Sequence, residues 1–455
     1  MTLPAPAPRD NARPLFRRAV AAATTIATAV GLTTGCTSPS APAASAGVRI
    51  ETNTPQGVRA QQVMDMLNSD WPIGDVGVRT LATPEMVDPI ETMMESLWWD
   101  RPYTLTGAQI GAGSARLQLL SSFGARQGIE LRTNDQTMVT RLIATTEQPT
   151  INSWADIDAA LGATGARYSY QVSKVNDGLC EKVAGTNTAE SLPLASIFKT
   201  YVLFAVADAV TAGTLRWDDT LTITTEAKKL GSSGFDNFPS GSLITVREAA
   251  GKMISTSDNM ATDLLIERLG VRAVEEALVR AGHHDPASMM PFPTMRGLFS
   301  VGWGNPDVRD QWKTASPAGR AELLKAANAR PYEPDPHRTH SPGSAYGAEW
   351  YGSAEDICRV HARLQHNAVG AAAPVRDIMS EIPGIDLDRT QWPYIGAKAG
   401  NLPGDLTFSW YAVDRTDQAW VVSFQLNWPR YHSPNAGGWV MTIIKQVFAM
   451  LPHYR

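Results

Sequence analysis

Apolar residues recur at helical spacing in two stretches near residue 50. Val58, Val63, Met64, Met66 and Leu67 do so within Thr54–Ser69, and Met86, Val87, Ile90, Met93, Met94 and Leu97 within Thr83–Trp99. One apolar face per helix predicts two helices, the first closed by the Trp71-Pro72 turn. Shorter runs follow at Tyr103–Ile110, Ala115–Phe123, Gly128–Thr133 and Met138–Thr145, and read as strands. Helices followed by antiparallel strands predict an α+β layer over residues 48–150. Met93, Met94, Trp98 and Trp99 there are either core or the lining of a ligand cavity.

From residue 151 the order changes. Ser153 is placed to cap a helix, and two strands follow at Arg167–Val172 and Leu179–Ala184. Next comes Ser191–Ala209, apolar on nearly every side, which predicts a buried helix opening at Ala195–Ser196. Residues 226–252 read as loop and short helix, and Met260–Leu269 as a helix with one apolar side. Leu406–Val413 and Ala419–Leu426 read as strands, and Trp439–Leu451 as a closing helix.

Length and charge narrow the picture. The 455 residues exceed one ordinary domain, 43% are hydrophobic, and the net charge is -5. An acidic balance argues against a nucleic-acid partner. Arg9, Arg13, Arg17 and Arg18 precede a small-residue apolar run, Ala19–Thr34, ending at Gly35-Cys36. That is an export signal of lipoprotein type, with Cys36 as the lipidated residue; a plain secretory signal is the other reading. The expected organisation is a signal peptide at 1–36, a flexible tether at 37–47, an N-terminal α+β domain at 48–150 and a second domain at 151–455. The expected location is the extracytoplasmic face of the cell membrane, lipid-anchored, or else secretion. Cys180 and Cys358 form one disulfide or remain two buried thiols.

The chemistry gathers in three short motifs. Ser196 and Lys199 lie three apart, on one helix face amid apolar neighbours. A desolvated lysine has a lowered pKa and can take a proton from a nearby hydroxyl. Ser257-Asp258-Asn259 opens a helix, where such a sequence ordinarily caps. Lys398-Ala399-Gly400 lies on a strand edge, where the glycine leaves room for a ligand backbone. His337 and His340 sit in a Pro-rich loop without a third ligand in sequence, so no metal and no cofactor is implied.

In this order, on helix, loop and strand, the motifs resemble the serine β-lactamase and penicillin-binding protein superfamily, class A in layout, over residues 151–455. The chain is also similar to actinobacterial LpqF-type lipoproteins and to the two-domain β-lactamase-like protein of clavulanic acid gene clusters. The resemblance implies a steroid-isomerase or polyketide-cyclase-like first domain and a class A-like α/β-sandwich second domain. It implies Ser196 as nucleophile, Lys199 as base or relay, and Ser257 as proton carrier. Asn259, Lys398 and Gly400 would bind substrate, and the N–H groups of Ser196 and Asn401 would form the oxyanion hole.

The departures set the expected activity. Ala399 replaces the hydroxyl residue usual between Lys and Gly. No Glu-x-x-Asn follows Ser257 where class A enzymes keep their deacylating glutamate, and Pro291–Trp303 occupies part of that place. Surplus chain lies between Gly302 and Trp350, and Glu349 is the substitute candidate. The expectation is a serine hydrolase acting on small esters, amides or β-lactam-like molecules, with weak or no β-lactamase turnover. The alternatives are a non-catalytic ligand-binding or sensing lipoprotein with a degenerate penicillin-binding fold, and a chain whose first domain binds the ligand that the second modifies.

Overall fold

The computed structural model of the protein describes residues 48–451. The expected signal peptide, Cys36 and the tether lie outside the described residues. Helix α1 (Pro55–Leu67) starts with proline at its first position and Thr54 capping the Gly57 N–H at 3.2 Å. A short helix α2 (Asp75–Leu81) follows, which the sequence pattern does not suggest: only Val78 and Leu81 of its seven residues are buried. Helix α3 spans Val87–Trp98. Strands β1 (Thr104–Gly111), β2 (Ser114–Leu120), β3 (Arg126–Thr133) and β4 (Val139–Thr146) form an antiparallel meander in chain order. Val63, Leu67, Ile90, Met94, Leu97 and Trp98 close a core with Leu117, Leu119, Ile129 and Leu131 from the sheet.

The second region is built on a five-stranded antiparallel sheet. Helix α4 (Trp154–Gly162), capped by Ser153 as expected, leads into β5 (Arg167–Asn176) and β6 (Leu179–Thr186). The chain returns after some two hundred residues as β7 (Tyr394–Leu402), β8 (Asp405–Val413) and β9 (Ala419–Asn427). The spatial order is β7-β8-β9-β5-β6, so β7 has one free edge. Helix α4 and the closing helix share a core with Tyr170, Val172, Trp410, Trp420, Val422 and Phe424 on one face. The helical middle of the chain packs on the other, around the nearly fully buried helix α5 (Lys199–Thr211).

Two elements differ from the sequence reading. Residues 246–255, read as part of a loop and short helix, form a ten-residue helix, α6 (Val246–Ser255), opened by a Thr245–Glu248 capping box. The closing helix begins at Pro434, capped by Ser433, five residues earlier than expected. Its first turn, Pro434–Gly437, carries a single buried apolar residue, Ala436, and so shows little apolar pattern. Cys180 on β6 and Cys358 form a disulfide with a Cα–Cα distance of 6.3 Å, which decides between the two readings of these cysteines. Helix α1–α3 and the first sheet meet the rest at Asp100. This buried carboxylate accepts the Ser433 N–H at 2.8 Å and its Oγ–H at 2.5 Å. Among the described residues no helix is long and apolar enough to cross a membrane.

Candidate active site

The helix expected to open at Ala195–Ser196 does so through a tighter turn. Residues Ala195–Phe198 form one 3₁₀ turn, and α5 continues from Lys199. Ser196 is half-buried while Ala195, Ile197, Phe198 and Lys199 around it are buried. Ala195 holds φ at +43°, a left-handed conformation that costs a residue with a Cβ about 1–3 kcal/mol. The corner is pinned on both sides. Leu194 N–H donates to the Trp350 carbonyl at 2.8 Å, and Thr407 Oγ1 donates to the Leu194 carbonyl at 2.9 Å.

Lys199 is 0% exposed. Its Nζ donates to the Ser257 carbonyl at 2.6 Å, to Ser257 Oγ at 3.2 Å and to Asn259 Oδ1 at 2.8 Å. Burial, and next the charge of Lys398, hold its ammonium well below the usual lysine range. Ser257 sits at φ +59° just ahead of helix α7 (Asn259–Leu269). Asp258 fulfils the ordinary role of the motif: it caps α7 through the Ala261 N–H at 2.8 Å. It also anchors the loop at 232–234 through Ser232 Oγ and two backbone N–H groups. Helix and loop are thereby locked so that residues 257 and 259 converge on Lys199.

Strand β7 supplies the third wall. Lys398 and Gly400 share the face of the sheet that Thr407 and Ser409 also present. A Cβ at Gly400 would lie 2.5 Å from the Ser196 nitrogen, so this glycine is a close-approach position. Lys398 is 3% exposed and donates to the Ala399 carbonyl at 2.6 Å; burial pushes its ammonium down to about 7. The exposed side chains of Ala399 and Asn401 alternate to the opposite face. There a cavity of about 380 Å³ lies between β7, β8 and the closing helix, walled by Leu402, Leu406, Phe408, Trp428 and Met441. Its lining carries no lysine or arginine.

Of the residues singled out in the sequence, Ser196, Lys199, Ser257, Asn259, Lys398 and Gly400 are thus brought together, and Asn401 follows on the same strand. Glu349 is not an open carboxylate: it is 5% exposed, behind the Ala195 corner and against Asp405. Sequence reasoning missed Asp263 on α7. Its carboxylate accepts the Met295 and Arg296 N–H groups at 2.7 and 2.9 Å and is pushed up to about 6, chiefly by burial. It lies four residues beyond Asn259, one helical turn, and that spacing was the only signal for it.

Other clusters carry less. His283, His284 and Asp356 are close enough to hold a metal ion. But the His283 ring donates to the Tyr351 carbonyl at 2.9 Å and accepts the Asp285 N–H at 3.1 Å, leaving no free lone pair. His340 stacks on Trp99 at 4.3 Å. A wider groove of about 760 Å³ runs along α1 and α2, remote in sequence from every motif, and Met93, Met94, Trp98 and Trp99 do not line it. Met94 and Trp98 are core.

Comparison with known proteins bears on the larger region first. Residues 152–332 match the family described as Beta-lactamase enzyme family, a span that includes Ser196, Lys199, Ser257 and Asn259 but ends before Lys398. Over this stretch the chain is β-lactamase-like. Residues 50–139 match the family described as ORF 12 gene product N-terminal. No curated protein matches. Among solved structures, the chain is 19% identical to a β-lactamase from Sphaerobacter thermophilus, over 65% of this chain and 97% of that one, with a TM-score of 0.45. It is 16% identical to the chromosome-encoded β-lactamase of Vibrio parahaemolyticus, over 66% and 98%, with a TM-score of 0.47. It is 16% identical to PBP-A, over 67% and 98%, with a TM-score of 0.44.

Proposed function

We propose that the protein is an exported serine hydrolase that forms an acyl-enzyme at Ser196. The observation that carries this is Lys199: a buried lysine whose three hydrogen bonds all go to Ser257 and Asn259, one helical turn from a half-open serine. With its proton lost, Nζ has a lone pair to accept the Ser196 hydroxyl proton as Oγ attacks the carbonyl. Ser257 relays the proton to the leaving group. Asn259 and Lys398 hold the substrate, and the N–H groups of Ser196 and Asn401 stabilise the oxyanion.

The substrate we propose is a small ester or amide with an apolar group. A substrate lying along the free edge of β7 has its next group above Ala399 and Asn401, where the walls are Leu402, Leu406 and Phe408. Ala399 removes a hydroxyl from that strand, and Glu349 lies behind the corner. Both support weak turnover of β-lactams. The Cys180–Cys358 disulfide supports an oxidising, extracytoplasmic location, consistent with lipidation at Cys36. The ORF 12-type match of residues 50–139 supports kinship with LpqF-type lipoproteins and the clavulanic-cluster protein, and a separate first domain of isomerase-like fold.

The non-catalytic binding reading is favoured by one observation, the exposed Ala399 in place of a hydroxyl. Intact-protein mass spectrometry with a fluorophosphonate and with a penicillin separates the two. A stable adduct on wild type, absent from Ser196→Ala, supports acyl transfer. Absence of adducts with both reagents overturns it.

A further inference from the structure

The segment 349–350 lies behind the candidate nucleophile, and its carboxyl group has no role in the chemistry above. Glu349 Oε1 accepts the Trp350 N–H at 2.8 Å, and the Ala195 N–H also points to this carboxyl. Its Oε2 is buried with no hydrogen-bond partner, and so is Asp405 Oδ2, and the two carboxyls lie against each other. Asp405 Oδ1 accepts Asn427 Nδ2 at 2.5 Å and Ser344 Oγ at 3.2 Å. Every donor thus sits on the outer oxygens. Two carboxylates face to face in a buried site repel, so the inner contact is attractive only with a proton in it.

We propose that Glu349 and Asp405 share one proton and act as a positioning pair that holds the left-handed Ala195–Ser196 corner. Asp405 is the weaker holder of the proton: burial raises its carboxyl, but the Asn427 and Ser344 donors offset this and leave it at about 7. Glu349 is the acid, held protonated well above the usual carboxyl range by burial and by the charge of Asp405. Tyr351 faces both carboxyls; burial first, and then their charge, pushes its hydroxyl up. Arg167 and Arg320 act on Tyr351, and neither reaches Glu349 or Asp405 with an ion pair among the described contacts. The Trp350 carbonyl accepts the Leu194 N–H, and the next N–H, that of Ala195, points to the Glu349 carboxyl. Loss of the shared proton sets two negative charges against each other, and their repulsion shifts Glu349 relative to Ala195 and lets the Ser196 N–H drift from the oxyanion position.

The positioning role rests on the acyl-transfer reading, while the shared proton does not, and the test reads them separately. In the full chain, Glu349→Gln keeps an oxygen for Ala195 and offers Asp405 an N–H. Two measurements are made across pH: urea unfolding, and the rate of fluorophosphonate labelling. A folded-state acid with a raised pKa binds a proton that the unfolded chain has released. Wild type should therefore lose stability as pH rises above the unfolded glutamate value. Relative to Glu349→Gln, its unfolding constant should grow by up to about tenfold per pH unit. Asp405→Asn takes away the second charge but leaves Glu349 buried, so it should lessen the slope without abolishing it, and serves if Glu349→Gln does not fold. Glu349→Gln should label Ser196 at close to the wild-type rate near neutral pH and keep the rise that follows Lys199 deprotonation without the alkaline fall that wild type then shows. Equal pH slopes in wild type and both variants would overturn the shared proton. A Glu349→Gln protein that is folded but labels about a hundredfold slower near neutral pH would overturn the positioning role and make Glu349 itself catalytic. If wild type does not label at all, the acyl-transfer reading and the positioning role fall together, and the unfolding slope still decides on the proton.

Discussion

Gly400→Ala tests the close approach of β7 to the nucleophile's backbone. The added Cβ would lie 2.5 Å from the Ser196 nitrogen, 2.7 Å from Thr407 Oγ1 and 3.0 Å from Ala195 Cβ. None of these atoms can simply rotate away. The first is backbone, and the second is held by the Leu194 and Gly400 carbonyls at 2.9 and 3.2 Å. Overpacking of this kind costs about 1–3 kcal/mol. Replacing a strand glycine returns about 0.5–1 kcal/mol, since Gly400 does not hold a positive φ. The net loss of stability should be about 0–2.5 kcal/mol, read as a lower urea midpoint with unchanged slope. The effect on chemistry should be larger. The methyl displaces the Ser196 N–H, and losing one oxyanion donor costs about 10²–10³ in rate. The assay is the fluorophosphonate labelling rate by intact mass, with Gly438→Ala as control. No atom lies within 4 Å of a Cβ at Gly438, so that helix position should be neutral or slightly stabilised. A Gly400→Ala protein that labels Ser196 at the wild-type rate would refute both the close approach and the oxyanion assignment.

Further outcomes follow from the same geometry. Labelling of Ser196 should rise with pH as Lys199 loses its proton, with a midpoint below the free lysine value of about 10.4. Lys398→Met removes the second cause of that depression, so the rise should move to higher pH; an unmoved profile would remove Lys398 from the site's electrostatics. Cys180→Ser should cost about 5 kcal/mol on a chain-entropy estimate, because the disulfide closes a sequence separation of 178 residues. Urea unfolding with and without reductant measures it, and reductant should leave the variant unchanged. Leu406→Arg puts a cation into an apolar wall and should lower kcat/KM for esters with longer apolar chains while sparing acetate esters.

The helices and strands were largely legible because their burial follows a simple period. β1 to β6, α1, α4 and α7 fall within a few residues of where the apolar pattern sets them. Helix α6 escaped although Val246, Ala249, Ala250, Met253 and Ile254 recur at helical spacing and its Thr245–Glu248 box was written in the sequence. The three motifs were legible for a chemical reason: Ser, Lys, Asn and Gly at those spacings are residue types that the proposed acyl transfer would use. The sequence alone also implied two folded regions, an acidic surface and a buried Lys199.

Tertiary structure decided what depends on approach between distant segments. Whether Cys180 met Cys358 could not be read from spacing, since the separation of two cysteines in space is set by how β6 packs on a helix. Glu349 looked like a spare carboxylate because sequence carries no burial for an isolated polar residue. Its partner Asp405 lies 56 residues on, and only the packing of the 349–350 turn under β8 puts the two in contact. The strained corner at Ala195 is of the same kind: no local rule asks an alanine to adopt φ +43°, and bonds from Trp350 and Thr407 impose it.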